Sequence, residues 1–280
     1  MHHPSSADPI DPAAIAAAVR LGGFEHLVEI GSTMDRGRSL ADDPTAALPV
    51  VVVADRQTAG RGRRGAGWWQ SPGSLATSIV VDARAHGADE PAAWWSLAAG
   101  IALAESLADL APAVTPVVRW PVTPVVRWPN DIEVAGRKLA GILVESVGRG
   151  RAVFGIGVNT SGSAAAAPAA LRRRLVTWPD LTGAVLPRQQ LLVTFLPRLL
   201  ALLDELTADP TRLVTRYRPL CGLTGKDVTV FRGHQRLTGR CQGIDSSGAL
   251  VLDTVAGRLH LASASLTDPA AVWSGVDPAT

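Results

Sequence analysis

Along most of the chain, segments with the hydrophobic spacing of helices are interspersed with short apolar runs typical of strands. Apolar positions spaced three and four residues apart predict helices at 12–21, 34–41, 92–110, 188–206 and 210–218. Short apolar runs predict strands at 24–30, 50–53, 76–81, 132–134, 139–147 and 152–159, with loops expected at 44–49 and 160–170. The helix at 92–110 carries small residues on one face, which is typical of a buried helix packed on a sheet.

The pattern changes from Gly222 onward, where helical periodicity gives way to short strands and turns. Strands are predicted at 227–231, 235–244, 250–254 and 257–261. Four short strands in about fifty residues indicate a small barrel-like β module, joined to the preceding domain near Leu220. We therefore expect a partly helical N-terminal lead at 1–23, a main domain at 24–220 and a β module at 221–275.

An eight-residue unit is repeated without change in the middle of the chain. Val114–Pro121 reads VTPVVRWP and recurs at Val122–Pro129. Two copies of so short a unit cannot form a solenoid, and their prolines disfavour a continuous central strand through both. Only the second copy is followed by Asn130 and Asp131, so we expect it to occupy the functional place and the first copy to bulge outward.

Composition limits the protein class. The chain has 280 residues, 47% of them hydrophobic, yet no uninterrupted apolar run is long enough to span a bilayer. Its start lacks the features of a signal peptide, and Cys221 and Cys241 suggest neither a disulfide framework nor a metal site. These features predict a soluble, cytoplasmic protein without membrane association. A formal net charge of +2 argues against a general nucleic-acid binder.

The stretch 55–69, DRQTAGRGRRGAGWW, is the strongest candidate for chemistry. Four glycines and four arginines fall within the twelve residues 56–67, after an apolar strand. Glycines let backbone N–H groups approach phosphate oxygens, arginines neutralise them, and the two tryptophans offer a flat face to a purine. We therefore predict a phosphate-binding loop that closes on a nucleotide.

Three other interpretations of this loop compete with phosphate binding. A charged, glycine-rich segment is often a solvated surface turn, and short arginine-glycine segments can bind RNA, although a single copy is weak support. Gly60–Gly65 also satisfies the dinucleotide fingerprint GxGxxG. That fingerprint requires a following helix, whereas 68–74 reads WWQSPGS, a poor helix-forming sequence, and the next apolar run, 76–81, predicts a strand.

Lysine is rare in this chain, since 25 of its 27 basic residues are arginine. The two lysines are Lys138, in a predicted hairpin turn at 135–138, and Lys226. Lysine is a compact point charge that suits a tight site where a planar guanidinium would not fit. For an isolated lysine such as Lys226, chance retention is the favoured explanation.

Five motifs, in this order, resemble those of the biotin–protein ligases. They are Gly31–Thr33 (GST), Gln57–Gly65 (QTAGRGRRG), Trp128–Asp131 (WPND), Arg137–Leu143 (RKLAGIL) and Gly155–Asn159 (GIGVN). The resemblance extends from about residue 25 to the C-terminus. It implies an α+β fold, in which a mixed β-sheet catalytic domain with packed helices precedes a small SH3-like β-barrel. It also implies an enzyme that activates biotin with MgATP to biotinyl-5′-AMP and then transfers biotin to a lysine of a carrier domain.

The resemblance implies a role for each matching residue. The residues implied to bind biotin are Ser32, Thr33, Met34, Gln57, Arg61, Gly62, Arg63, Lys138 and Gly141. Those implied to bind ATP or adenine are Trp68, Arg127, Asn130, Asp131 and Asn159. Arg61, Arg63 and Lys138 would be catalytic, and Asp131 would be the carboxylate on the Mg²⁺ side. The implied partner is the biotin carboxyl carrier domain of a carboxylase, and a homodimer is left open.

Two residues depart from the family pattern. Met34 stands where the family usually has asparagine, and Arg127 stands where it usually has lysine. These departures keep a weakly active or inactive carrier-binding homologue as an alternative. A lipoate–protein ligase-like transferase is the other alternative, disfavoured by the glycine-arginine loop and the RKLAG motif. Only some thirty residues precede Ser32, which is too few for the helix-turn-helix domain of repressor members, so we expect no DNA binding.

Overall fold

A computed structural model describes residues 8–89, 92–113 and 121–266. Its helices are α1 (Pro12–Ala18), α2 (Thr33–Asp42), α3 (Trp95–Asp109), α4 (Trp178–Thr182), α5 (Arg188–Ala208) and α6 (Arg212–Tyr217). Its strands are β1 (Gly23–Ile30), β2 (Val50–Gln57), β3 (Leu75–Asp82), β4 (Val125–Arg127), β5 (Asp131–Val134), β6 (Arg137–Val147), β7 (Arg151–Val158), β8 (Asp227–Arg232), β9 (Gln235–Ile244), β10 (Leu250–Thr254) and β11 (Gly257–Leu261). The short helix α4 and the short strand β4 were not predicted from the sequence.

The main sheet has seven strands in the order β1-β2-β3-β7-β6-β5-β4. β1 and β2 run parallel, with α2 as their crossover, and every other neighbouring pair is antiparallel. The predicted α+β fold with a mixed sheet is therefore confirmed. This strand order places β3, β7, β6 and β5 side by side although they are separated in sequence.

The sheet is buried on both faces, which explains the unbroken apolar run at the start of β2. Val50 and Val52 pack in the cluster that includes Met34 and Leu40 of α2. Val51 and Val53 lie in the main core, with residues of α3 and α5. Because successive strand residues point to opposite faces, a strand covered on both sides must be apolar at every position.

The N-terminal lead is tied to the main domain through a buried arginine. Arg188, at the start of α5, is fully buried. Its guanidinium pairs with Asp55 at 2.7 Å and with Asp8 at 3.1 Å. His26 of β1 lies 2.8 Å from the same Asp55 carboxylate. A buried cation is tolerated when it is paired and hydrogen-bonded in this way, and the network fixes the end of β2.

The C-terminal module is a four-stranded antiparallel sheet in the order β11-β10-β9-β8. Phe231 of β8 exchanges two backbone hydrogen bonds with Ser265, so the chain after β11 returns to the opposite edge of the sheet. Val230 and Leu252 of this module share one apolar core with Tyr217 and other residues of the main domain. The boundary near Leu220 stays a prediction, and residues 267–275 lie outside the described part of the chain.

The second copy of the repeated octapeptide supplies β4, which pairs with β5 at the edge of the main sheet. Residues 114–120 of the first copy lie outside the described residues, so the outward bulge stays a prediction. In the described ranges, no helix is both long and apolar enough to cross a membrane.

Candidate active site

A cavity of about 700 Å³ lies between the α2 face of the main sheet and the arginine loop. All the residues predicted for the site from the sequence line it: Ser32, Thr33, Met34, Gln57, Arg61, Gly62, Arg63, Trp68, Arg127, Asn130, Asp131, Lys138, Gly141 and Asn159. They come from five separate segments of the chain, which the strand order brings together. Their individual roles stay predictions.

The floor of the cavity is formed by glycines on neighbouring strands. Gly141 of β6 is the register partner of Gly157 of β7. A Cβ atom at Gly157 would collide with the indole of Trp68, and one at Gly155 would lie 2.5 Å from Sδ of Met34. Glycine is therefore required for side chains to lie flat on the sheet. The sequence suggested a close approach along this strand, but Gly155 and Gly157 were not predicted as site residues.

One end of the cavity carries a chain of buried hydroxyl and amide groups. The Thr33 backbone N–H and Oγ1 donate to Oε1 of Gln57 at 2.9 and 3.2 Å. Ser78 Oγ donates to Thr33 Oγ1 at 2.9 Å, and Ser32 caps α2 by accepting from the Met34 N–H at 3.3 Å. The Gln57 oxygen is thus engaged twice, which leaves its NH₂ group to meet a ligand.

The arginine loop is a compact turn that does not open a helix, so the dinucleotide interpretation is excluded on structural grounds. Trp68 N–H donates to the Gly60 carbonyl at 2.9 Å, and Gly62 N–H donates to the Ala66 carbonyl at 2.7 Å. Arg64 adopts a left-handed conformation with φ of 56°. These bonds fold the loop back on itself and place its arginines over the cavity.

Arg61 and Arg63 have different environments. Arg61 forms an ion pair with Asp35 of α2, and this hydrogen bond holds the pKa of Asp35 below its usual value. Arg63 is half-buried, donates to Asn130 Oδ1 at 3.3 Å and forms no ion pair with any carboxylate of the described residues. Burial lowers the pKa of Arg63 below its usual value, and a guanidinium stays charged at neutral pH. The charge of Asp131 opposes this lowering of the pKa, but Asp131 is already paired with Lys138. Removing a cation from water without an ion-pair partner of its own is costly, so this site favours an anionic ligand.

Lys138 lies between a carboxylate and an aromatic ring. Its Nζ is 2.7 Å from Asp131 Oδ1 and 5.7 Å from the centroid of the Trp68 ring. Its backbone N–H donates to the Arg174 carbonyl at 2.8 Å, which anchors the start of β6. The lysine is thus held at the cavity with its charge balanced by a carboxylate that a ligand phosphate could replace.

Two asparagines line the cavity in different hydrogen-bonding states. Asn130 Nδ2 donates to the Ile142 carbonyl at 2.6 Å, while its oxygen accepts from Arg63. Asn159 is 2% exposed, and its Nδ2 donates to the Val176 carbonyl at 3.1 Å. Within the described ranges, Asn159 Oδ1 is buried without a hydrogen-bond partner. A buried acceptor of this kind is complementary to a ligand N–H group.

Several cavity residues were not predicted from the sequence. Glu133 lies 3.4 Å from the guanidinium of Arg127, and burial raises the pKa of Glu133 while Arg127 opposes that shift. Arg173 and Arg174 line the mouth, and Asp35 holds Arg61. The run of three arginines at 172–174 was a visible signal, whereas nothing in the sequence marked Asp35 or Glu133.

The sequence matches two family patterns. The Biotin/lipoate A/B protein ligase family matches residues 30–161, and the Biotin protein ligase C terminal domain matches residues 224–265. A Biotin--[acetyl-CoA-carboxylase] ligase of Paracoccus denitrificans is 34% identical over 224 residues, which is 77% of this chain and 88% of that protein. The enzyme of the same name from Mycobacterium tuberculosis is 33% identical over 221 residues, 77% of each chain.

Solved structures share the fold. The Biotin protein ligase from Aquifex aeolicus in complex with biotin and ATP superposes with a TM-score of 0.73 at 24% identity. The match covers 87% of this chain and 97% of that one, so it includes both the main sheet and the C-terminal module.

Proposed function

Since this chain belongs to the biotin branch of the biotin/lipoate A/B protein ligase family, we propose that it is an ATP-dependent biotin–[acetyl-CoA-carboxylase] ligase. Its cavity would activate biotin with ATP, and the biotinyl group would pass to a lysine of a biotin carboxyl carrier domain. The observation that carries this proposal is the half-buried Arg63, a cation without a carboxylate partner among the described residues. It lies in a cavity whose neighbouring cations are held by exchangeable carboxylates.

The first step needs positive charge because a carboxylate must approach a polyanion. Two like unit charges at ~4 Å repel by about 4 kcal/mol at an effective dielectric near 20. A biotin carboxylate oxygen attacks the α-phosphorus, and the bond to the bridging oxygen breaks, which releases pyrophosphate. Arg61, Arg63 and Lys138 line the same cavity and would stabilise the charge that develops on the phosphate.

On ligand binding, cations of the cavity would exchange a protein carboxylate for a ligand anion. Arg61 would leave Asp35, and Lys138 would leave Asp131, for the carboxylate and phosphate of the ligands. Asp131 would then be free to face the Mg²⁺ of the MgATP substrate. Magnesium is usually held by one or two protein carboxylates together with substrate phosphates, and a single aspartate at this position meets that need.

The two ends of the cavity fit the two ends of biotinyl-5′-AMP. Gln57, Thr33 and Ser32 place a few hydrogen-bonding groups where the neutral ureido ring would lie, and Met34 adds apolar surface. Trp68 would stack on adenine, and Asn159 Oδ1 would accept a hydrogen bond from its amino group. A volume of about 700 Å³ is sufficient for this intermediate.

The second step transfers the biotinyl group. The carrier lysine amine attacks the carbonyl carbon of the mixed anhydride, the bond to the phosphate oxygen breaks, and AMP leaves as the amide forms. Closure of the arginine loop over the cavity would keep water from the anhydride until the carrier arrives. A homodimer and a cytoplasmic location stay predictions.

The test is incubation of the full chain with labelled biotin, MgATP and a carrier domain, with labelled lipoate in a parallel reaction. We expect label on the carrier with biotin and none with lipoate. A carrier domain whose target lysine is replaced by arginine is the control and should stay unlabelled. Labelling by lipoate would favour the alternative ligase, and binding of the carrier without labelling by either acid would indicate an inactive homologue.

A further inference from the structure

The side chain of Gln70 forms hydrogen bonds to both strands that flank the arginine loop. Its Oε1 accepts from the Gln57 backbone N–H at 3.0 Å. Its Nε2 donates to the carbonyls of Asp55 and Ser74, each at 3.1 Å. One amide group therefore joins the end of β2 to the residue before β3.

These bonds occur where regular strand pairing stops. β2 and β3 pair from Val50↔Val80 to Ala54↔Ala76, and beyond that point the strands separate. A primary amide has the same donor and acceptor groups as a peptide unit. By accepting from Gln57 and donating to Asp55, the Gln70 side chain substitutes for the missing strand residue and extends the pairing of β2 by two residues.

Gln57 depends on this support because its side chain lines the cavity. Its backbone is held by Gln70, and its Oε1 accepts from Thr33 N–H and Oγ1. With the oxygen engaged twice, the Gln57 Nε2 is oriented away from Thr33 and lies close to Gly60. The orientation of this amide, which decides whether a ligand meets donors or an acceptor, is thus set by hydrogen bonds on both sides.

We propose that Gln70 is a positioning residue for the activation step, acting through Gln57 to present its NH₂ group to biotin. This inference rests on the proposed function of the cavity. Gln70 itself does not line the cavity, so its effect must travel through the backbone of Gln57. The residue also fixes the end of the arginine loop that returns to β3, through its hydrogen bond to the Ser74 carbonyl.

The test compares Gln70→Met, Gln70→Asn and Gln57→Met with the wild type in a biotinyl-adenylate assay. Met removes the amide at nearly constant volume, and Asn keeps an amide that is one methylene too short to reach both strands. We expect both Gln70 variants to raise KM for biotin about three- to tenfold, the effect of losing one positioned hydrogen bond. KM for ATP should stay within twofold. Gln190→Met, on the exposed surface of α5, is the matched control and should leave both KM values unchanged.

A double-mutant cycle separates positioning from a general structural effect. If Gln70 acts through Gln57, the double variant should have the biotin KM of Gln57→Met alone. Additive effects, or equal increases in both KM values together with a lower Tm, would overturn the proposal. Gln70→Asn keeps a polar amide near the backbone groups that Gln70 bonds, so it disturbs the fold less than Gln70→Met. It therefore provides the test if Gln70→Met does not fold. A wild-type protein that forms no adenylate would instead refute the proposed function.

Discussion

At the scale of single residues, the cations of the cavity are not equivalent. Arg61 and Lys138 are each held by an aspartate, whereas Arg63 donates to an amide oxygen and has no ion-pair partner of its own among the described residues. Arg127, at the position that departs from the family pattern, lies 3.4 Å from Glu133 and donates to the Leu266 carbonyl at 3.1 Å. Its charge is therefore engaged by protein groups at the edge of the cavity. The other departure, Met34, is buried against the glycine floor and contributes apolar contact.

Replacing Lys138 tests the role of a point charge at this position. Lys138→Ala should slow adenylate formation by on the order of 10² to 10³ while changing biotin binding much less, because the charge acts mainly in the transition state. Lys138→Arg should recover only part of the rate, since a planar guanidinium cannot occupy the space between Asp131 and Trp68 in the same way. The measurement is single-turnover adenylate formation at saturating biotin and ATP.

Lys226 provides the control for this experiment. It is exposed, and its Nζ donates to the Gly222 carbonyl outside the cavity. Lys226→Ala should keep the wild-type rate. A wild-type rate for Lys138→Arg would show that the site does not need a lysine.

At the scale of elements, the arginine loop combines fixed ends with a weakly held centre. Its return strand is tied by Gln70, but Arg61 is held to α2 by a surface ion pair that is worth little in water. We expect amide hydrogen exchange across Thr58–Gly67 to slow when biotin and ATP are added, because ligand anions replace that pair. The hairpin turn at 255–257, far along the chain in the C-terminal module, is the internal control. Unchanged exchange in the loop would contradict its role as a lid.

Removing one copy of the repeated octapeptide tests how the duplication is accommodated. Deleting 114–121 or 122–129 yields the same sequence, so the experiment asks whether a single copy is sufficient. We expect a folded, active enzyme, because β4 and the Asn130–Asp131 turn require only one copy and six residues would still connect Leu110 to Val125. Circular dichroism and the adenylate assay are the measurements. A deletion variant that does not fold would show that both copies contribute to the sheet.

At the scale of the whole molecule, ion pairs between distant segments link stability to pH. The hydrogen bond from Arg36 lowers the pKa of Glu25 from 4.5, and the one from Arg61 lowers that of Asp35 from 3.8. Because these pKa values are lower in the folded state, the unfolded chain binds protons first as the pH falls. Their contribution to stability is therefore fully present above about pH 5 and lost as the pH falls below 4.5.

We expect the urea midpoint of unfolding to be nearly constant from pH 6 to 8 and to fall steeply below about pH 4.5. Glu25→Gln should lower the midpoint at pH 7, and its difference from the wild type should shrink at pH 3.5. Glu133 shifts in the opposite direction, since burial raises its pKa, so Glu133→Gln should not reproduce this pattern. An equal deficit of Glu25→Gln at both pH values would contradict the proposed ion-pair effect.

The sequence by itself determined the features that depend on residues close together along the chain. The period of apolar positions fixed most helices and strands, because a side chain's direction repeats every two residues in a strand and every 3.6 in a helix. The five motifs also identified many of the residues that line the cavity. Those motifs keep their local spacing whatever surrounds them, as the glycine-arginine loop and the RKLAG segment of β6 show.

Only the tertiary structure decided which residues meet across the sheet. The order β3-β7-β6-β5 places Gly157 beside Gly141 and sets both beneath Trp68. It also brings Asp35 to Arg61 and leaves Arg63 without an ion-pair partner of its own among the described residues. The charge of each arginine can be read from the sequence. The ion-pair partner of each arginine depends on strand order and helix placement, which are set by packing of the whole core. For the same reason Gln70 carried no signal until the separation of β2 and β3 was seen.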